Sequence, residues 1–312
     1  MGKNMGGKQM IYTVTLNPSI DYIVGLNGLN TGELNRIQED QFFPGGKGIN
    51  VSRILNNLGY DNTALGFIGG FTGEFLKDEL KKEKIKSNFT QIEKPTRINI
   101  KIKTKVETEL NGKGPVVSNQ CALSFLNTIA EISPNDMVII SGSKPRNLPK
   151  DYYQQTIQII NKIGANFVID TTGEELRQSL QYNPFLVKPN NVELEELYGV
   201  KLNTEEDFIK YGKKLIDEGA KFAIVSLGSK GAILFSNQGI YRGNSPKGSV
   251  KNTVGSGDSM IAGFVGTFLK TNDLQKSFKV ALASGSATAF AEDLATKQEI
   301  EKLLTEIHIK KL

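Results

Sequence analysis

Asn252-Thr-Val-Gly-Ser-Gly-Asp-Ser-Met-Ile-Ala-Gly263 is a glycine-spaced turn that runs directly into the small and apolar residues of a helix. Glycines let a ligand approach the backbone closely, and the first amides of a helix have no acceptors inside it. The amides around Gly255, Ser256 and Gly257, with the positive end of the helix dipole, therefore make a receptor for the developing charge of a phosphoryl group. Asp258 would repel a phosphate bound there, so its presence needs a second purpose. Proton abstraction from a hydroxyl lying between the carboxylate and the transferring group supplies one. An acid that only offsets the dipole is the alternative, and the segment alone leaves both open.

A second glycine turn, Gly45-Gly-Lys-Gly-Ile-Asn-Val-Ser-Arg53, follows Pro44 and enters another helix. Gly46 would let a ligand touch backbone, while Lys47 and Asn50 offer donors to a phosphate and a hydroxyl. The spacing matches neither the Gly-x-x-x-x-Gly-Lys-Ser/Thr loop nor the dinucleotide Gly-x-Gly-x-x-Gly turn. Ser226-Leu-Gly-Ser-Lys-Gly-Ala232 lies between two apolar strands, so Gly228 and Gly231 either turn a β-hairpin or form a shelf for the ribose and phosphates of ATP. Asn190-Asn-Val-Glu193 places an amide and a carboxylate three residues apart at a helix entry. That spacing suits the orientation of Mg²⁺-bound water and equally suits a helix-capping box.

Short β-branched and aromatic runs recur at Ile11 to Leu16, Ala64 to Ile68, Met137 to Ser141, Phe167 to Asp170, Leu186 to Lys188 and Phe222 to Leu227, with helix-length stretches between them. Such alternation predicts an α/β fold with a mainly parallel central sheet flanked by helices. The helix over Glu205 to Glu218 shows the local signals: Thr204 as N-cap, acids in the first turn, Gly219 at the stop, and Phe208, Tyr211 and Leu215 as the buried stripe. Two regions, 19–43 and 96–110, lack helical periodicity and read as extended. Ile98-Asn-Ile-Lys-Ile-Lys-Thr104 alternates apolar and polar residues, the mark of a sheet with one wet face. The two insertions are expected to form a small antiparallel β lid, with 1–18, 44–95 and 111–312 as the α/β body. A sheet this small is marginal alone, so its apolar face should cover the substrate, a partner subunit, or both, and a homodimer through the lid follows.

Composition narrows the chemistry. The 312 residues carry a net charge of +5, with Lys and Arg dispersed among Asp and Glu, a pattern of a solvated surface more than of a nucleic-acid footprint. Cys121 is the sole cysteine and has no Cys or His neighbours, so a buried structural thiol is expected rather than a zinc site. His308 is the sole histidine and stands near the C-terminus among charged residues, which leaves a Ser-His-Asp mechanism nothing to work with. No apolar run reaches the roughly 18 residues that span a bilayer, and the start lacks a signal-peptide stretch, so a cytoplasmic location without membrane contact is expected. Residues before Met10 read as a flexible leader.

Taken together, Gly45 to Ser52, Asn190 to Glu193 and Asn252 to Ser259, in this order, resemble the PfkB branch of the ribokinase-like sugar kinases, from about Met10 to the C-terminal helix. Thr15-Leu-Asn-Pro-Ser-Ile-Asp21, Thr96-Arg-Ile-Asn99 and the run from Ser286 to Thr296 are most similar to members that phosphorylate fructose 1-phosphate at its 6-hydroxyl, with tagatose-6-phosphate kinases the nearest rival. The resemblance implies a ribokinase-like fold, ATP with Mg²⁺, and in some members a monovalent cation. It implies that Asp21, Gly45, Gly46 and Asn50 hold the sugar, that Lys47, Arg97 and Arg36 face its phosphate, and that Ser141 and Gly142 line the same pocket. It assigns Lys188, Asn190, Ser226, Gly228, Gly231, Gly257 and Ser284 to ATP, Glu193 to the metal through water, and Asp258 to the base. Lys144 and Arg146 depart from the family pattern after Ser141-Gly-Ser143 and read as surface charge. A catalytically silent sugar-phosphate sensor is the rival of another class, opposed by the intact Asp258 turn; the missing dinucleotide fingerprint opposes a dehydrogenase.

Overall fold

Met137 to Ser141 illustrates why the sheet must be covered on both sides. Val138 and Ile140 join a core with Phe125, Tyr152 and Ile157, whereas Met137 and Ile139 join a second one with Val51, Ile54 and Phe264. A strand apolar on both faces needs helices on both faces, and parallel crossovers deliver them. The computed structural model describes residues 9–104 and 106–312; residues 1–8, within the leader, and residue 105 lie outside that description.

The main sheet contains β1 (Ile11–Thr15), β4 (Asn62–Gly69), β5 (Lys86–Ile92), β8 (Met137–Ser141), β9 (Asn166–Asp170), β10 (Leu186–Val187), β11 (Phe222–Ser226), β12 (Ala232–Ser236), β13 (Gly239–Gly243) and β14 (Ile309–Lys311). Its spatial order is β14-β13-β12-β11-β10-β9-β8-β1-β4-β5. Strands from β11 to β5 run parallel, and the β11-β12, β12-β13 and β13-β14 pairs are antiparallel. On one face lie α3 (Asn119–Ala130), α4 (Tyr152–Ile163), α5 (Gly173–Leu180), α6 (Asn191–Tyr198) and α7 (Glu205–Asp217). On the other lie α1 (Lys47–Asn57), α2 (Gly70–Lys82), α8 (Ser256–Thr271), α9 (Leu274–Phe290) and α10 (Lys297–Leu303). No described helix is long and apolar enough to cross a membrane.

The two insertions meet in a separate four-stranded sheet, β3 (Glu39–Gly45), β2 (Ser19–Gly25), β6 (Arg97–Lys103) and β7 (Thr108–Asn111), in that order. Its outer pairs are antiparallel, and the join between the insertions, β2 with β6, is parallel. Residues of one parity, Ser19, Asp21, Arg97, Asn99 and Lys101, line the large cavity beneath. The apolar parity lies on the opposite face, where Tyr22 stacks on Phe42 with centroids 4.3 Å apart and Ile98 and Leu110 are exposed. The expectation that the apolar face looks onto the site is therefore corrected: the polar face lines the cavity, where enclosed polar groups can find hydrogen-bond partners, and the apolar face lies outside it. Cys121 is likewise half-buried rather than buried, with its thiol against the Gln91 carbonyl.

Arg53 fixes α1 against its neighbours. Its Nε donates to Glu83 just past α2 at 2.8 Å, and Nη1 and Nη2 form a fork on Asp293 beyond α9 at 3.2 and 2.6 Å. The guanidinium is 9% exposed, whereas the two acids remain about one-third exposed and partly solvated. Truncation to Arg53→Ala should therefore cost about 2 kcal/mol, below the 3–5 kcal/mol of a fully buried pair. Urea unfolding of the variant checks this, and a loss under about 0.5 kcal/mol would show that α1 is held by apolar packing alone.

Candidate active site

Parallel strands place their carboxyl ends, and the helix starts that follow them, along one edge of the sheet. Thr15 closes β1, Asp170 closes β9, and α1 and α8 begin beside them. With the lid overhead they enclose a cavity of about 710 Å³.

Asp258 is in the first turn of α8 and is 5% exposed. Gly255, in the left-handed region at φ 79°, turns the chain into the helix without the cost a Cβ would bring. Ser259 ties this entry to α9, its hydroxyl contacting the Gly255 carbonyl and Thr288 Oγ1, each at 2.8 Å. Among the described residues, the amides of Gly255, Gly257 and Asp258 have no acceptor, whereas the Ser256 amide closes the turn on the Thr253 carbonyl. The donor set thus differs by one member from the sequence expectation. Asn50 Nδ2, from α1, donates to Asp258 Oδ2 at 2.8 Å. Burial, followed by the negative charge of Asp170, pushes the Asp258 carboxyl up to about 6, against the Asn50 hydrogen bond and the lysines nearby.

Asp170 is the counterweight. It is 4% exposed at the end of β9, 3.0 Å from Lys47 Nζ and 3.7 Å from Lys188 Nζ. Burial alone would raise its carboxyl, but the pull of Lys188 and Lys47 holds it below the ordinary value. A Cβ on Gly257 would lie 2.8 Å from Lys188 Nζ, so glycine there lets the ammonium rest against the start of α8. The result is one carboxylate fixed as an anion and a second made more basic in the same cavity, beside two lysines and unpaired amides. That combination can take a proton from a hydroxyl and stabilise a transferring phosphoryl group.

On the lid side, Asp21 Oδ1 accepts from Ser19 Oγ at 2.8 Å and from Asn99 Nδ2 at 3.0 Å, and Oδ2 pairs with Lys101 at 3.1 Å. Arg97 donates through Nε and Nη2 to the Asn17 carbonyl and through Nη1 to the Gly112 carbonyl.

A protein-family model described as pfkB family carbohydrate kinase matches residues 14–300. The chain belongs to the pfkB family. A Bacillus subtilis protein named 1-phosphofructokinase is 44% identical over 97% of this chain and 100% of its own length. A Bacillus licheniformis protein named D-tagatose-1-phosphate kinase is 37% identical over 96% of this chain and 99% of its own. Among solved structures, phosphofructokinase-2 from Escherichia coli in complex with substrates and products matches with a TM-score of 0.91 and 29% identity, over 95% of this chain and 99% of that one.

In this pfkB chain, the cavity wall includes Asp21, Gly46, Lys47, Asn50, Arg97, Gly142, Lys188, Asn190, Glu193, Ser226, Gly255, Gly257 and Asp258. Several residues named from the sequence stand outside it. Arg36 is exposed on the loop between β2 and β3. Gly45 backs the wall, where a Cβ would meet Asp21 Oδ1 at 2.4 Å. The hydroxyls of Ser141, Ser256 and Ser284 are buried with no hydrogen-bond partner among the described residues, and none of the three lines the cavity. Gly228 and Gly231 flank the short turn of the β11-β12 hairpin. Lys47 Nζ lies 3.0 Å from Asp170 Oδ2, at the Asp258 end of the cavity. Asn190 and Glu193 form a complete capping box on α6 while also facing the cavity. Lys144 pairs with Glu175 and lies over the Tyr153 ring, and Arg146 is exposed.

Sequence reasoning missed Asp170, Asn99 and Lys101. Asp170 had a signal, an acid at the carboxyl end of an apolar parallel strand, which is where α/β ligands bind. Asn99 and Lys101 belong to an alternating run, and alternation by itself marks their face as polar without saying whether it meets solvent or a cavity.

A folded-state pKa raised above its unfolded value favours folding at low pH, and that benefit is lost as pH rises through about 6. Asp258→Asn should therefore be more stable than the parent at pH 8, by an increment on the order of 1–3 kcal/mol, and should melt at a higher temperature there. The difference should shrink toward pH 4, and calorimetric melts of both proteins across that range check it.

Proposed function

We propose that this pfkB kinase transfers the terminal phosphoryl group of ATP to the 6-hydroxyl of fructose 1-phosphate, giving fructose 1,6-bisphosphate and ADP. The observation that carries the reading is Asp258, buried, held by Asn50 and set among unpaired α8 amides. A carboxyl with a pKa of about 6 is ionised at neutral pH and more basic than an ordinary aspartate. As the sugar oxygen bonds to phosphorus and the bond to ADP breaks, the hydroxyl proton passes to Asp258. The Gly255, Gly257 and Asp258 amides, with Lys47 and Lys188, offset the charge on the transferring oxygens. The polar lid face, with Asp21 and Asn99, holds the sugar and limits access of water that would otherwise be phosphorylated.

Among the described residues no three His, Cys, Asp or Glu side chains gather into a metal cage. Glu193 uses Oε2 in its capping bond and faces the cavity. A single such carboxylate suits a hydrated Mg²⁺ carried in on the ATP phosphates, where the ion would neutralise phosphate charge. With ATP as phosphoryl donor, we place the reaction in the cytoplasm.

The Bacillus subtilis relative supports fructose 1-phosphate. The Bacillus licheniformis relative supports D-tagatose 1-phosphate as a second reading, since that sugar differs at one carbon and keeps the same free 6-hydroxyl. We infer also that two lids pair through the face carrying Tyr22, Phe42, Ile98 and Leu110, which are too apolar to stay in water without cost.

Asp258→Asn should lower kcat on fructose 1-phosphate by about 300-fold or more, a scale for loss of a base with its positioning, while KM for ATP changes little. Coupled detection of ADP, with specificity constants for fructose 1-phosphate and D-tagatose 1-phosphate in one buffer, checks both. Near-parent turnover by a folded Asp258→Asn protein removes the base assignment. Light scattering at micromolar concentration should give the mass of a dimer; a monomer rejects lid pairing.

A further inference from the structure

Lys101 is a buried cation with an incomplete set of partners. Its side chain is 8% exposed, and Asp21 is its one acidic partner within 4 Å among the described residues. Lysine is almost never buried unless paired, and an ammonium has three donors to satisfy. Asp21 is in the reverse situation, since both its oxygens are already engaged by Ser19, Asn99 and Lys101. As it stands, the carboxylate has little capacity left for a sugar hydroxyl.

Charge separates the two ends of the cavity. The transfer end holds Lys47 and Lys188 against Asp170, Glu193 and Asp258, and it must also receive the anionic phosphates of ATP. The lid end holds Arg97 and Lys101 against the half-buried Asp21, with Glu109 at the exposed rim on Asn111. A second dianion is therefore favoured at the lid end. There Arg97 is pinned by two backbone carbonyls, which leaves Lys101, on a flexible four-carbon stem, as the cation able to change partner.

We propose that Lys101 reads the phosphate already present on the ketose by partner exchange: the phosphate takes Lys101 from Asp21, and the released Asp21 oxygen accepts a sugar hydroxyl. This rests on the sugar-phosphate kinase reading above and adds a specificity residue to it. An unphosphorylated ketose leaves Lys101 on Asp21 and so loses both the phosphate contact and the hydroxyl acceptor. Discrimination between phosphorylated and plain ketose is then a property of the pair, not of the lysine alone.

The test compares wild type with Lys101→Met and with the double variant Lys101→Met/Asp21→Asn, which leaves no acid in the cavity wall without its lysine if the single variant folds poorly. kcat/KM for fructose 1-phosphate should fall about 100-fold in both, the scale for losing one partner of a buried charge pair. KM for ATP should stay within about threefold, and kcat/KM for fructose should not fall in Lys101→Met, so the ratio between the two sugars collapses. Equal losses on both sugars, or less than about fivefold on fructose 1-phosphate, overturn the proposal and leave Lys101 as a support for Asp21. The melting-temperature rise given by fructose 1-phosphate, fructose 6-phosphate or tagatose 6-phosphate should vanish with Lys101 removed while the rise given by ATP remains. If wild type does not turn over fructose 1-phosphate yet a Lys101-dependent rise persists with one of these sugars, the substrate reading fails and the partner exchange stands. If none of the three stabilises wild type, or the rise survives without Lys101, the exchange is wrong.

Discussion

Two buried carboxylates facing one cavity cannot both be ordinary acids, and the rest of the site is arranged around that constraint. Asp170 and Asp258 are each about 95% buried, and each ionised group raises the cost of ionising the other. Lys47 and Lys188 resolve the conflict unequally by pairing with Asp170. Among the described residues Asp258 has one side-chain donor, the neutral Asn50, and so becomes the more basic of the two. Environment, not residue type, makes one acid a fixed anion and the other the more basic of the two.

Delivering those groups is the work of the whole α/β body. Asp170 comes from β9, Lys188 from the segment after β10, Lys47 and Asn50 from α1 and Asp258 from α8, so no local motif contains the set. Parallel strands are what bring such distant positions to a common edge. Arg53, one turn beyond Asn50, ties α1 to the ends of α2 and α9 and so carries precision from the scaffold into the site. The glycines at 255 and 257 serve the same end through backbone freedom at one and absent bulk at the other.

The lid shows how the same alternation can serve two purposes. Successive residues of β6 face opposite ways, so Arg97, Asn99 and Lys101 line the cavity while Ile98 lies on the outer face. The hydrogen-bonded register of Asp21 with Asn99 makes the two insertions one surface, although 78 positions separate those residues in sequence. A polar inner face and an apolar outer one suit a roof that touches charged sugars below and another surface above.

Residues near one another in the chain made much of this protein legible in advance. Continuous apolar runs separated by helical periods specify a parallel two-sided sheet, Thr204 with Asp207 specifies a helix start, and the Gly255 to Asp258 turn specifies an anion receptor with an acid in it. These signals act over a few residues, where backbone sterics and hydrogen bonding decide, and the resemblance of three such segments to one kinase family rests on the same local spacing. Tertiary structure alone decided which charges meet. That Lys47 pairs with Asp170 across 123 positions, that Asn50 holds Asp258 across 208, and that the polar side of β6 faces inward are consequences of packing, because electrostatic partners depend on distance in space and the chain encodes distance only through the fold.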